Sequence, residues 1–121
     1  MAYETIITTA EAEGRFVQQV GGHGCYAVVN LRVEPLKSKK IVFLNEVDSD
    51  TILPKFIKPI EKGIRESAKE GILNSGFPLK GIKVTLIGGR FHDVDSDAES
   101  FKMAGGIGFR NAINNANPVL V

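Results

Sequence analysis

His92, Asp93, Asp95 and Asp97 crowd into one short stretch, GGRFHDVDSDAES (Gly88–Ser100), which holds one of the chain's two histidines. Imidazole and carboxylate together can ligate a metal ion, exchange protons, or contact a partner. A second stretch, VGGHGCY (Val20–Tyr26), carries the other histidine, His23, and the lone cysteine, Cys25. A metal site would combine His92, Asp93 and Asp95 with His23 or Cys25, all plausible donor types. Against it, Asp93 is adjacent to His92, and paired CxxC or helical HExxH signatures are absent. Asp95, Ser96 and Asp97 have a simpler use at a helix start. There, acidic and hydroxyl groups satisfy free N–H groups and complement the helix dipole, a good cap being worth about 0.5–2 kcal/mol. Ser96 and Glu99 have the spacing of a capping box, with Ser96 as the cap.

Catalysis has weaker support. Cys25 with His23 or His92 is a conceivable nucleophile pair, but Cys25 opens a strand, where an unpaired cysteine is usually a packing residue. No G-x-S-x-G elbow is present. The GGIGFR run (Gly105–Arg110) falls inside a helical stretch, and no G-x-x-x-x-G-K-[ST] phosphate loop occurs. The remaining chemistry is contact. Glycine-rich loops let backbone approach a partner closely, and a solvent-facing histidine can stack on bases or donate hydrogen bonds. Arg15 and Arg90 add positive charge nearby. The carboxylates around His92 repel phosphates, so an RNA target would be met at base edges or sugars.

The elements that must position these residues follow from periodicity. Alternation over residues 3–18 predicts a first strand, and Gly21, Gly22 and Gly24 free the chain for a reversal. Cys25–Glu34 predicts a second strand, with Val29, Leu31 and Val33 on one face, and residues 40–47 predict a third. From Pro54 the period changes: Ile57, Ile60, Ile64 and Ala68 recur at helical steps, with Gly71 or Asn74–Gly76 as the stop. Pro59 either kinks this helix or marks its first turn. Ile82, Val84 and Leu86 mark a fourth strand, and a last helix runs from about Ser96 to Ala116. Its Ala98, Phe101, Gly105, Gly108 and Ala112 form a narrow stripe suited to close packing. The order is strand, strand, strand, helix, strand, helix: an α+β two-layer sandwich. If each element crosses the layer once, the glycine hairpin, the link into the first helix and the link carrying His92 share one end. Both histidines then lie at that end.

Composition sets the outer bounds. At 121 residues, 43% hydrophobic and 24% charged, the chain is one ordinary globular domain. It has no apolar run of membrane-spanning length and no signal-peptide pattern at its start. One cysteine cannot form an internal disulfide, which fits a reducing, cytoplasmic setting. A net charge of +1 gives little counterion release, so the isolated domain is expected to bind RNA weakly.

Taken together, the motifs resemble a known family. FHDVDS (Phe91–Ser96) is similar to the Tyr-His-Asp-Val-Asp-Ser loop of domain IV of bacterial elongation factor G, the translational GTPase that drives translocation. YETI (Tyr3–Ile6) resembles that domain's opening Tyr-Arg-Glu-Thr-Ile, one residue shorter. GGHGCY (Gly21–Tyr26) resembles its Gly-Gly-Arg-Gly-Gln-Tyr loop, IEKGIRE (Ile60–Glu66) its first helix, and NPVLV (Asn117–Val121) its Lys-Pro-Val-Leu exit. The resemblance covers essentially the whole chain in order. It implies a ribosomal protein S5 domain 2-like fold: a four-stranded mixed sheet with two helices on one face and a left-handed β-α-β crossover, against the usual preference.

It also implies a tip, made of Gly21, Gly22, His23, Gly24, Cys25 and Tyr26 with His92, Asp93, Val94 and Asp95, that enters the decoding site of the small ribosomal subunit. There it would contact tRNA and mRNA. No cofactor or metal is implied for this chain and no catalysis. GTP and magnesium would belong to a separate GTPase domain of a longer parent, of which this chain would be a single monomeric domain, an excised piece with Met1 added as a start. The first loop departs from the family pattern: His23 stands for arginine, Cys25 for glutamine, Ala27 for glycine and Val20 for serine. It loses a permanent cation and a two-way hydrogen-bonding amide. These changes keep a divergent paralogue open as the parent. Tetracycline ribosomal protection proteins are one such class, although their second loop generally lacks the His-Asp-Val-Asp pattern. A metal-dependent or cysteine enzyme at the same tip is the alternative of a different kind.

Overall fold

The computed structural model describes residues 2–20 and 23–121, without the side chains at 19, 20 and 23. The reversal expected at Gly21 and Gly22 lies outside the described residues. Strand β2 (Ala10–Val20) pairs antiparallel with β3 (His23–Pro35), in register from Ala10↔Val33 to Val20↔His23. β3 pairs antiparallel with β5 (Ile82–Phe91), which pairs parallel with β4 (Ile41–Asn45) at the edge. The sheet order is β2-β3-β5-β4, and the strand directions are those that one crossing per element requires. Helices α1 (Ile57–Glu70) and α2 (Ala98–Asn115) cover one face, giving the expected α+β architecture with a four-stranded mixed sheet.

Alternation and helical period meet in one core. Ala27, Val29, Leu31 and Val33 of β3, with Ile82, Val84 and Leu86 of β5, face Ile60 and Ile64 of α1 and Phe101, Phe109 and Ile113 of α2. Pro59 sits in the first turn of α1, where its missing N–H costs nothing. The helix stops at Gly71, whose φ of 74° few other residues adopt.

The small residues of α2 set how closely the layers approach. A Cβ on Gly14 of β2 would stand 2.1 Å from the carbonyl oxygen of Ala104, and one on Gly108 would stand 3.1 Å from the Gly14 backbone. On the helix side, a Cβ on Gly63 would stand 2.1 Å from Lys102 O, and one on Gly105 would stand 2.7 Å from Ile60 O. These contacts are backbone to backbone, so neither partner can yield by changing rotamer. Of the stripe read from the sequence, Ala98 alone is exposed. Gly14→Ala is therefore expected to destabilise the domain by about 3 kcal/mol, the upper range for overpacking, measured as a lowered urea midpoint with unchanged m-value.

The single N-terminal strand expected over residues 3–18 is instead two. β1 (Glu4–Ile6) leaves the main sheet and pairs antiparallel with β6 (Pro118–Leu120), while Ile7, Thr8 and Thr9 bend away. The N–H groups of Ile7 and Thr8 both donate to Ala116 O at 3.3 Å. The physical reason for the break is Glu4, which is fully buried. Its carboxylate accepts from Ile72 N at 2.6 Å, Leu73 N at 3.0 Å and Ser75 Oγ at 2.7 Å. One side chain thereby supplies acceptors to the turn that follows α1, and β1 must stand beside that turn rather than beside β3.

Burial alone would raise the Glu4 pKa, and it is the largest single influence. The hydrogen bonds from Ile72, Ser75 and Leu73 together outweigh it and hold the carboxyl below its ordinary 4.5. A depressed carboxyl stabilises the fold fully above its unfolded pKa, and that contribution is lost as pH falls through the folded value. Glu4→Gln turns an amide toward three donors and is expected to cost about 1–3 kcal/mol at neutral pH. The gap between parent and variant should narrow below pH 4.5, checked by urea unfolding across the acid range.

Candidate functional site

The loop after β5 is closed by its own backbone and by one hydroxyl. Ser96 N donates to His92 O at 3.0 Å, and His92 N donates to Ser96 Oγ at 2.8 Å. The same Ser96 hydroxyl donates to Tyr26 O at 2.7 Å, and Tyr26 N donates to Asp95 O at 3.1 Å. Residues 92–96 are thus laced to the start of β3, some seventy positions away in the chain. Gly24 makes room for this, since a Cβ there would stand 2.7 Å from the Asp95 carboxylate.

Ser96 is consequently not the helix cap. With its hydroxyl committed to both loops, the N-cap passes to Asp97, whose side chain accepts from Ser100 N at 2.7 Å. The Ser96–Glu99 capping box expected from spacing does not form. Glu99 lies in the first turn of α2, where its charge complements the dipole.

The clasp presents His92 at the end of the domain. Its side chain is 54% exposed, and its ring centre lies 6.1 Å from that of Tyr26 at an angle of 50°. Nδ1 accepts from Val94 N at 3.3 Å, which favours the neutral tautomer with its proton on Nε2. The Asp95 carboxylate stands 3.7 Å from Nδ1, close enough to pair with a protonated ring. Asp93 is exposed, and Val94, 83% exposed, is the most exposed large apolar side chain described.

The third loop, between β4 and α1, reaches the same end. Asp48 Oδ1 accepts from Asp50 N, Thr51 N and Thr51 Oγ1 at 2.8–3.0 Å, which folds the loop back. Ile52 is buried against Gly89, while Asp50 and Thr51 form one wall of a shallow groove. Tyr26, Arg90, Phe91 and His92 form the other. Sequence reasoning misses Asp50 and Thr51, although Asp-x-x-Thr is a recognisable turn signal. Cys25 is half-buried and paired in the sheet with Gln18. The His23 side chain lies outside the described residues. Among the described residues, no three His, Cys, Asp or Glu side chains converge as a metal-binding group. No described helix is long and apolar enough to cross a membrane.

An α+β two-layer domain whose hairpin strands and two βα links meet at one end is a scaffold that presents a tip. The family model for elongation factor G, domain IV, matches residues 1–117. A crystal structure of a protein from Thermus thermophilus superposes with a TM-score of 0.87 at 38% identity, over 98% of this chain and 18% of that one. The chain belongs to the elongation factor G domain IV family, and it spans less than a fifth of the length of the Thermus protein it matches.

Ser96→Ala removes one acceptor and one donor at once, and should cost about 1–2 kcal/mol. It should also shift the NMR resonances of Tyr26 and His92. Asp97→Ala, with a similar cost from the lost cap, should leave those resonances in place. Comparing the two variants separates the clasp from the helix start.

Proposed function

We propose that this chain is the ribosome-contacting domain of an elongation factor G-like translational GTPase in the cytoplasm. Its tip enters the decoding site of the small subunit and promotes movement of tRNA and mRNA. The observation that carries this reading is the clasp: Ser96 and Tyr26 hold His92 outward, with Nδ1 turned back to accept from Val94 N. Such a group suits the base edges or ribose oxygens of an RNA duplex, which are read in the shallow minor groove. The acidic neighbours Asp93 and Asp95 disfavour direct phosphate contact there. The remaining tip residues, Gly21, Gly22, His23, Gly24, Cys25 and Val94, serve close backbone approach and shape.

On this reading the domain is not catalytic. GTP and magnesium are bound by another part of a longer protein, and the domain converts that part's cycle into displacement of RNA. In that longer protein, His92→Ala should slow single-round translocation roughly tenfold or more, the loss of ~1.4 kcal/mol from one contact. Ribosome-stimulated GTP hydrolysis should stay near the parent rate. Translocation at the parent rate in the variant would remove His92 from the role assigned to it.

A further inference from the structure

The sheet face opposite the helices carries a pattern of charge that the tip does not absorb. Registers across β2, β3 and β5 place Arg15, Val28 and Arg90 abreast, since Val28 pairs with Arg15 on one side and with Arg90 on the other. All three therefore project from the same face, and it is the open one, because Ala27 and Val29 on either side of Val28 belong to the core under the helices. The two arginines stand about 10 Å apart at the backbone, two strand spacings. Both are exposed, and Val28 between them is only 1% exposed although no helix covers that face. The arginine stems are placed to cover it, leaving the guanidinium heads in solvent.

Further from the tip the same face is neutralised internally. Arg32 pairs with Glu34 at 2.9 Å and with Glu46 at 3.7 Å, and Lys83 pairs with Glu34 at 3.7 Å. Among the described residues, Arg15 and Arg90 enter no such pair. Their acidic neighbours are Glu13, one row away on β2, and Asp50, which lines the groove beside Arg90. One row nearer the tip on this face stand Tyr26 and, beside it, the His92 ring. On this face, the arginines without an ion-pair partner among the described residues thus stand next to the aromatic and imidazole groups of the tip.

We infer that Arg15 and Arg90 form a phosphate-binding row on the open sheet face, gripping the backbone of the same RNA whose bases or sugars meet His92. This rests on the ribosomal reading of the tip and extends it to a second surface with a different chemistry. Guanidinium groups bind phosphate oxygens in a bidentate fork, and two of them about 10 Å apart can hold successive or facing phosphates. The division of labour follows from charge. The acidic loop around His92 keeps phosphates away from the tip, and the arginine row receives them behind it.

The test measures binding of the protein and its variants to purified ribosomes and, separately, to a free RNA hairpin, across a salt series. Arg15→Gln/Arg90→Gln keeps much of the stems over Val28 while removing both charges. It should weaken binding to both probes at least about tenfold and lower the slope of log K against log salt by about 1.4–1.8, two phosphate contacts' worth. Arg15→Lys/Arg90→Lys should restore the slope, and His92→Ala should weaken binding without changing it. An unchanged affinity and slope in the glutamine variant overturns the arginine row while leaving the ribosomal reading intact. Arginine-dependent binding to the hairpin without binding to ribosomes supports the row and sinks that reading. Arginine-dependent binding to ribosomes but none to the hairpin assigns the surface to an acidic protein and overturns the RNA assignment. A parent protein that binds neither probe overturns both.

Discussion

Backbone contact between α2 and the sheet, at Gly14 and Gly108, is the constraint from which the rest of the molecule follows. A Cβ on either glycine would press into the backbone of the other, so the helix has no freedom to roll or slide on β2 without a clash. Its first turn is therefore delivered to one place, above the start of β3, and the short link from β5, residues 92–97, must close within that gap. Contact at Gly63 and Gly105 then locks α1 to α2, so both helices ride as one layer. Apolar burial supplies the driving force, but it is not directional. The glycines convert it into a defined separation and angle, which is what a projecting tip requires.

Given that placement, the tip is built by polar economy. Ser96 serves as acceptor for one backbone group and donor to another, joining the two loops through a single oxygen. Because that oxygen is committed, the helix needs another cap, and Asp97 is the next residue able to supply one. The spacing rule that pairs Ser96 with Glu99 describes local preference correctly, but a tertiary bond to Tyr26 outcompetes it. That competition is invisible in sequence, since nothing in the order of residues states that position 26 lies opposite position 96.

Legibility follows the same division. The core faces of β3 and β5 are readable because alternation is enforced by burial on one side. Directions and the shared end follow from counting crossings, and the small residues of α2 signal close approach. What escapes is long-range and polar. Tyr3–Gln18 alternates well enough to read as one strand, and only the bond network of Glu4 with residues 72–75 shows why the chain leaves the main sheet at Ile7. The strand at Pro118–Leu120 has no periodic signal of its own, being three residues long and defined by its partner β1. At the tip, the sequence nominates His92 and the glycine loop, and counting crossings brings the link into α1 to the same end, yet nothing singles out Asp50 and Thr51 as the residues that line the groove. Those residues arrive through a turn organised by Asp48 and through Ile52 packing on Gly89.

The two polar anchors lie at opposite ends and do opposite work. At the base, Glu4 is sealed from solvent and its charge is satisfied three times over, so that end resists change until the carboxyl is protonated. At the tip, Ser96 and Asp95 are only partly covered, and the bonds they make hold a side chain out into water. A domain that must press against another macromolecule needs both conditions: a base that does not yield, and an end whose groups remain free to exchange water for a partner. Charge on the open face follows the same geometry, with ion pairs closed upon themselves toward the base and unpaired arginines beside the tip, among the described residues. That pattern on the open face adds to the clasp as support for the proposal that this end meets RNA.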